Sequence, residues 1–215
     1  ITSDMPEMPS IALGTADATV FQMVGAYGTF ANEGVYVKPV LVTRIEDKNG
    51  TVLFENTPET HDVVSAEVAR AVVNLMEGVT RYGSGARLRT KGAETYNAIY
   101  KNVMTGYPYQ FTNPIAGKTG TTQNNSDGWF IGMVPNLVTG VWVGGEDRAI
   151  HFRTTAYGQG ATMALPVFGY YMKKCYADKD LNVSKGAFPA PQNKEIPIDC
   201  NKEKEGGTEE PEIDF

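Results

Sequence analysis

Lys118-Thr119-Gly120-Thr121-Thr122 puts one cation, one glycine and three hydroxyls into five consecutive residues, and the apolar run Trp129-Phe130-Ile131 follows closely. In an extended strand, side chains i and i+2 share a face about 7 Å apart, so Thr119 and Thr121 point the same way. Two hydroxyls at that spacing beside an ammonium suit a carboxylate lying along the strand. Lys118 falls on the opposite face by alternation, and meets such a ligand only if the strand lines the edge of a cleft. Gly120 removes a side chain and lets a ligand or a second backbone approach. Strand-edge N–H groups also suit an oxyanion hole for acyl transfer, at about 3 kcal/mol per donor. The same residues also read as a threonine-rich edge strand whose exposed lysine guards against aggregation. A Walker phosphate loop is excluded, because position 112, five residues before Gly117, is threonine rather than glycine.

Acyl transfer needs a nucleophile. The serines are Ser3, Ser10, Ser65, Ser84, Ser126 and Ser184. None has a lysine three residues later, and Ser84 comes nearest, with Arg87. None has an asparagine two residues later. Tyr100-Lys101-Asn102 has the form of a Y-x-N motif but lies sixteen residues before Lys118, and is read as chance. His61 and His151 are isolated, and neither cysteine sits in a C-x-x-C pair, so no metal site is expected. Cys175 and Cys200 enclose about 25 residues, leaving open one disulfide in an oxidising compartment or two unpaired thiols.

Around that strand stands a chain of 215 residues, 41% hydrophobic and 20% charged, a globular composition able to bury a real core. Net charge is −6. Residues 201–215 hold six acidic groups against two lysines and supply −4 of it, so they read as a solvated, disordered tail. A basic nucleic-acid footprint is absent. No apolar run reaches about eighteen residues, and the first ten residues lack the basic and apolar parts of a signal peptide.

The elements that must hold the strand are legible from pattern. Thr19 and Gln22 fit a capping box ahead of Val20, Met23, Val24, Tyr27, Phe30 and Ala31 at helical spacing, with Gly34 as the stop. Gly25 and Gly28 inside that helix predict a close backbone neighbour. Residues 35–56 read as a hairpin turning at Asn49-Gly50, both tolerant of positive φ. Ser65 caps an amphipathic helix whose buried stripe is expected to be Val68, Val72, Leu75, Met76 and Val79. A glycine-rich connection follows, then an irregular stretch over 89–114 long enough to cover a site. Three strand-like runs with brief connections predict an antiparallel meander. A last helix buries Ala164, Phe168, Tyr171, Met172 and Cys175, with Pro166 tolerated in its first turn. The fold class is α+β, an antiparallel sheet with flanking helices.

With these flanks, Gly117-Lys118-Thr119-Gly120-Thr121-Thr122 and the segment to Asp147 resemble the third motif and next two strands of penicillin-binding protein transpeptidase domains, most closely the bifunctional class A enzymes. Residues 9–39 resemble the helical segment after the family's second motif, and 157–174 its closing helix. The resemblance implies a penicillin-binding-protein/serine β-lactamase-like fold, truncated at its N-terminus, over residues 1–200. It implies an S-x-x-K serine that attacks a D-Ala-D-Ala peptide and forms an acyl-enzyme, later resolved by a stem-peptide amine. By resemblance Lys118 supplies positive potential, Thr119 and Thr121 hydrogen-bond the terminal carboxylate of the donor or a β-lactam, the Thr121 N–H is an oxyanion donor, and Gly120 admits substrate. Asp127 and Trp129 are framework residues. No cofactor is implied. The missing S-x-x-K and S-x-N motifs predict that the nucleophile, a glycosyltransferase domain and a membrane anchor lie upstream in a longer extracytoplasmic parent, and that this chain alone does not acylate. The competing expectations are a serine β-lactamase or D,D-carboxypeptidase relative and a non-catalytic peptidoglycan-binding module.

Overall fold

The computed structural model describes residues 1–3, 5, 7–89 and 109–190. Most of the irregular stretch expected over 89–114, Cys200 and the acidic tail lie outside the described residues. A 3-10 turn, Pro9–Leu13, precedes helix α1, Val20–Ala31. Its capping box is present: Gln22 N–H donates to Thr19 Oγ1, and Thr19 N–H donates to Gln22 Oε1. Gly34 stops the helix at φ +94°, a conformation an L side chain rarely adopts.

Two small ribbons come next. Strand β1, Val35–Val37, pairs antiparallel with β4, Thr60–Asp62, while β2, Arg44–Glu46, pairs with β3, Val52–Glu55. The expected single hairpin is therefore only β2–β3, and β1 finds its partner beyond it. In the β2–β3 turn Asp47 Oδ1 accepts from Asn49 N–H and Thr51 N–H, both at 2.8 Å. Gly50 has φ +85° and, unlike Asn49, is in the left-handed region. The aspartate acts as a turn acceptor, so the loop is longer than the two-residue turn the Asn-Gly pair suggested.

Helix α2, Ala66–Arg81, is capped by Ser65, whose Oγ accepts from Val68 N–H at 3.3 Å. Its buried stripe is Ala69, Val73, Met76, Glu77 and Thr80, displaced from the expected one. Val68 and Leu75 are exposed instead, Leu75 at 73%. Polar groups decide the rotation. Glu77 is fully buried between Arg70 and Arg81, and Thr80 Oγ1 donates to Ile115 O, tying the helix to the approach of the next strand.

The meander runs β5, Ala116–Thr121, then β6, Asp127–Val134, then β7, Leu137–Gly144, in that spatial order. Helices α3, Thr155–Gly158, α4, Gly160–Met163, and α5, Leu165–Ala177, follow. The break at Ala164 fits Pro166, which has no N–H for the carbonyl of Thr162. The two faces of β6 feed separate cores. Phe130 and Val134 pack with Leu165, Phe168 and Met172 of α5. Met133 packs with Ala116, with Val73 and Met76 of α2, and with Tyr27 and Phe30 of α1. Alternation puts these sets on opposite faces, so the sheet is sandwiched between α1/α2 and α4/α5. The Phe130 and Phe168 rings meet at 4.8 Å, and each fully buried phenyl is worth about 1.5–3 kcal/mol.

The close approaches are not those expected of α1. A Cβ on Gly28 would meet nothing within 4 Å, and one on Gly25 would meet the Pro39 and Tyr36 side chains. The tight contact belongs to Gly140 of β7, where a Cβ would lie 2.7 Å from Val24 and 3.0 Å from Val20 of α1. In α5, Tyr171 is 45% exposed, and Leu165 and Gly169 are buried with Phe168, Met172 and Cys175.

Candidate active-site edge

β5 is the outer strand of the meander, and its register defines what each residue offers. Thr122 N–H donates to Asp127 O at 3.1 Å, one step beyond the pair Thr121↔Gly128. Antiparallel bonding alternates, so Lys118, Gly120 and Thr122 aim their N–H and C=O groups at β6. Gly117, Thr119 and Thr121 aim theirs at the outer edge, where no described strand lies. The Thr121 N–H is therefore directed away from the sheet.

Side chains complete this edge. The Lys118 Nζ donates to the Thr119 carbonyl at 2.8 Å. Lys118 thus starts on the face opposite the threonines, as alternation requires, but its ammonium curls round to the outer edge. Thr121 Oγ1 accepts from Gly160 N–H at 3.0 Å. A hydroxyl whose oxygen accepts from the protein keeps its proton for an external acceptor. Thr119 Oγ1 lies 2.7 Å from Ser84 Oγ, in the turn after α2. The strand thus brings together Lys118, Thr119, Gly120 and Thr121 as one edge, and the fold adds Ser84 and Gly160.

Gly120 has a specific neighbour. It pairs with Trp129, and a Cβ on it would sit 3.0 Å from the tryptophan Cβ. Gly160 is tighter: a Cβ there would come 2.2 Å from Gly120 O and 2.4 Å from Trp129 O. Only a glycine lets the first residue of α4 lie on the β5–β6 pair and reach Thr121. Arg87, itself buried, donates to Ala161 O at 3.0 Å and to Thr162 Oγ1 at 2.8 Å, holding α4 from below.

Asp127 closes the β5–β6 connection. Its Oδ2 accepts from Thr122 Oγ1 and Ser126 Oγ, both at 2.9 Å, and its Oδ1 accepts from Trp142 Nε1 at 3.0 Å. Partial burial pushes the carboxyl up, but the hydrogen bonds from Ser126, Thr122 and Trp142, with the more distant Arg148 charge, outweigh it and hold the group below its ordinary value. Oδ2 is engaged within the turn and Oδ1 by Trp142 of β7, so Asp127 ties the β5–β6 connection to the neighbouring strand. Trp129 stands opposite Trp142 across the β6–β7 pair.

Ser84 and Gly160 were not singled out as site residues from sequence. The sequence signal for Ser84 was faint, no more than its two flanking glycines, because its partner Thr119 lies thirty-five residues away. Cys175 is buried and unpaired among the described residues.

Residues 7–161 match the family described as the penicillin-binding protein transpeptidase domain. Penicillin-binding protein 1A of Aquifex aeolicus (strain VF5) is 34% identical over 177 residues, which are 81% of this chain and 21% of that protein. Penicillin-binding protein 1A of Clostridium novyi (strain NT) is 29% identical over 194 residues, 87% of this chain and 19% of that protein. The chain thus spans about a fifth of the length of these curated relatives. Among solved structures, PonA1 of Mycobacterium tuberculosis superposes with a TM-score of 0.63 at 27% identity, over 87% of this chain and 45% of that one. Penicillin-binding protein 1A of Haemophilus influenzae superposes at 0.62 with 24% identity, over 79% of this chain and 28% of that one, a likeness of fold. This chain belongs to the penicillin-binding protein transpeptidase domain family.

Proposed function

We propose that this chain forms the substrate-side wall of a peptidoglycan D,D-transpeptidase site within a longer polypeptide. The observation that carries the proposal is the outer edge of β5. There an outward N–H at Thr121 stands beside a hydroxyl whose oxygen accepts from Gly160 N–H and whose proton that bond leaves for a ligand, with the Lys118 ammonium on the same edge. In this reading Thr119 and Thr121 hold the terminal carboxylate of a D-Ala-D-Ala stem peptide. Lys118 supplies positive potential, Gly120 lets the peptide lie along the strand, and Thr121 N–H is one of two oxyanion donors. A serine hydroxyl attacks the peptide carbonyl and the terminal D-Ala leaves as its amine. The amine of a neighbouring stem peptide then takes the acyl group and restores the serine. One relative, PonA1, has a structure in complex with penicillin V, which fits a β-lactam occupying the same edge here.

None of the six serines of this chain stands in an S-x-x-K motif. The nucleophile is therefore assigned to residues outside these 215, in an extracytoplasmic parent that also bears the glycosyltransferase domain and membrane anchor. A fluorescent penicillin tests both halves. The full natural polypeptide should be labelled covalently, and the 215-residue chain alone should not. Labelling of the isolated chain would overturn the assignment of the nucleophile, and an unlabelled full polypeptide would overturn the transpeptidase reading. Reversible stem-peptide binding without acylation by the full polypeptide would instead favour a non-catalytic peptidoglycan-binding module.

A further inference from the structure

Ser84 belongs to the turn Gly83-Ser84-Gly85, which caps the end of α2 and is held firmly. Gly83 N–H donates to Gly78 O at 3.2 Å and Gly85 N–H to Val79 O at 3.0 Å. A Cβ on Gly83 would lie 2.9 Å from Val79 Cα, so the turn sits flat against the helix end. Arg87 fixes the same turn to α4 through Ala161 and Thr162. The Ser84 side chain is exposed, and its Oγ meets Thr119 Oγ1 at 2.7 Å. A rigid mount and an exposed hydroxyl pair at the edge strand do not serve the core.

The two threonines of the edge can be compared. Each hydroxyl has one proton to donate. At Thr121 the oxygen accepts from Gly160 N–H, a bond that leaves the hydroxyl proton for a ligand. At Thr119 the partner is Ser84, and either oxygen of that pair can hold the shared proton. A carboxylate only accepts. For both threonines to donate to it, the shared proton must come from Ser84. We infer that Ser84 is a positioning residue that donates to Thr119 Oγ1 and turns the Thr119 proton outward, making Thr119 and Thr121 a matched pair of donors for a carboxylate. A chain of hydroxyls ending on an anion also polarises along its length, which strengthens the last bond. The inference rests on the carboxylate-binding role proposed above and adds a residue outside the K-T-G strand.

The test uses the full natural polypeptide and two acylating probes, benzylpenicillin and its methyl ester, which lacks the carboxylate charge. Ser84→Ala should slow second-order acylation by benzylpenicillin about 3- to 10-fold, the scale of one hydrogen bond. Acylation by the ester should stay within about two-fold, and Ser84→Thr, which keeps the hydroxyl, should restore the benzylpenicillin rate. In a Thr119→Ala background, Ser84→Ala should cost nothing more, because its effect passes through Thr119. Equal loss with both probes, failure of Ser84→Thr to restore the rate, or an additive loss with Thr119→Ala would overturn the inference. No effect of Ser84→Ala on an acylating polypeptide would overturn the role of Ser84 alone. No acylation of the unaltered polypeptide would remove the carboxylate reading and this inference with it.

Discussion

The ribbons between Val35 and Asp62 expose nearly every strand side chain, whereas the meander between Ala116 and Gly144 buries its central strand on both faces. In β3, all of Val52, Leu53, Phe54 and Glu55 are exposed. In β6, Gly128 and the run Phe130 to Val134 are buried. Both regions carry strand-forming residues, so propensity does not separate them. Position does: β6 lies between two helical layers, while β2 and β3 have no described layer over either face. The difference teaches where precision is kept. The meander sets the outward N–H and hydroxyls of β5 to within a hydrogen bond, and the ribbons set only their own turns.

The largest break in this comparison should come from equivalent truncations in the two regions. Phe130→Ala removes a fully buried ring against Phe168 and should cost about 3–5 kcal/mol. Phe54→Ala removes a ring that is 46% exposed and should cost under about 1 kcal/mol. Urea unfolding of the chain measures both. Comparable losses would mean that the ribbon is covered in solution.

Glycine substitutions come next. Gly160→Ala places a methyl 2.2 Å from Gly120 O, which must lift α4 from the β5–β6 pair, at about 1–3 kcal/mol. It should also withdraw the N–H that orients Thr121, so acylation of the full polypeptide should fall further than stability alone explains. Gly50→Ala meets no atom within 4 Å and pays only for φ +85°, about 1–2 kcal/mol, with acylation unchanged. A Gly160→Ala protein of unaltered acylation rate would separate α4 from the site.

Legibility in the sequence followed the range of the interactions. Thr19 with Gln22 and Ser65 with Val68 act over three residues, and both caps were readable in advance. Lys118 to Thr121 were readable as a strand with Thr119 and Thr121 on one face, because alternation is local. The stripe of α2 was misplaced because apolar spacing ignores Glu77, which turns inward to two arginines, and Thr80, which turns inward to Ile115 O. β4 was missed because Thr60-His61-Asp62 has no apolar alternation, and pairs with Val35 to Val37 across the whole hairpin. Gly140 and Gly160 act on partners far along the chain, as does Ser84. No local pattern marks a residue whose role is to meet another thirty-five positions away.

The smallest contrast concerns the two aspartates that close the turns. Backbone N–H groups of Thr51 and Asn49 hold Asp47 below its ordinary value, in full solvent. Asp127 is also held low, although its partial burial works against ionisation and side-chain donors must overcome it. A carboxyl whose folded pKa is depressed adds stability above its unfolded value, about 3.9, and loses it as pH falls through the folded value. Both turns should therefore loosen in acid, and neither near neutrality. The magnitudes should differ because the partners do. Asparagine can replace Asp47 as an acceptor of two backbone N–H groups through its own carbonyl oxygen, so Asp47→Asn should leave the urea midpoint at pH 7 nearly unchanged. At Asp127 both oxygens accept, and an asparagine amide would present N–H groups to Trp142 or to the two hydroxyls. Asp127→Asn should lower stability at pH 7 by up to about 1 kcal/mol, the scale of an exposed charged group, with the gap to the unaltered chain closing below about pH 4. A gap that persisted in acid would show that the network of Asp127 depends on shape rather than charge.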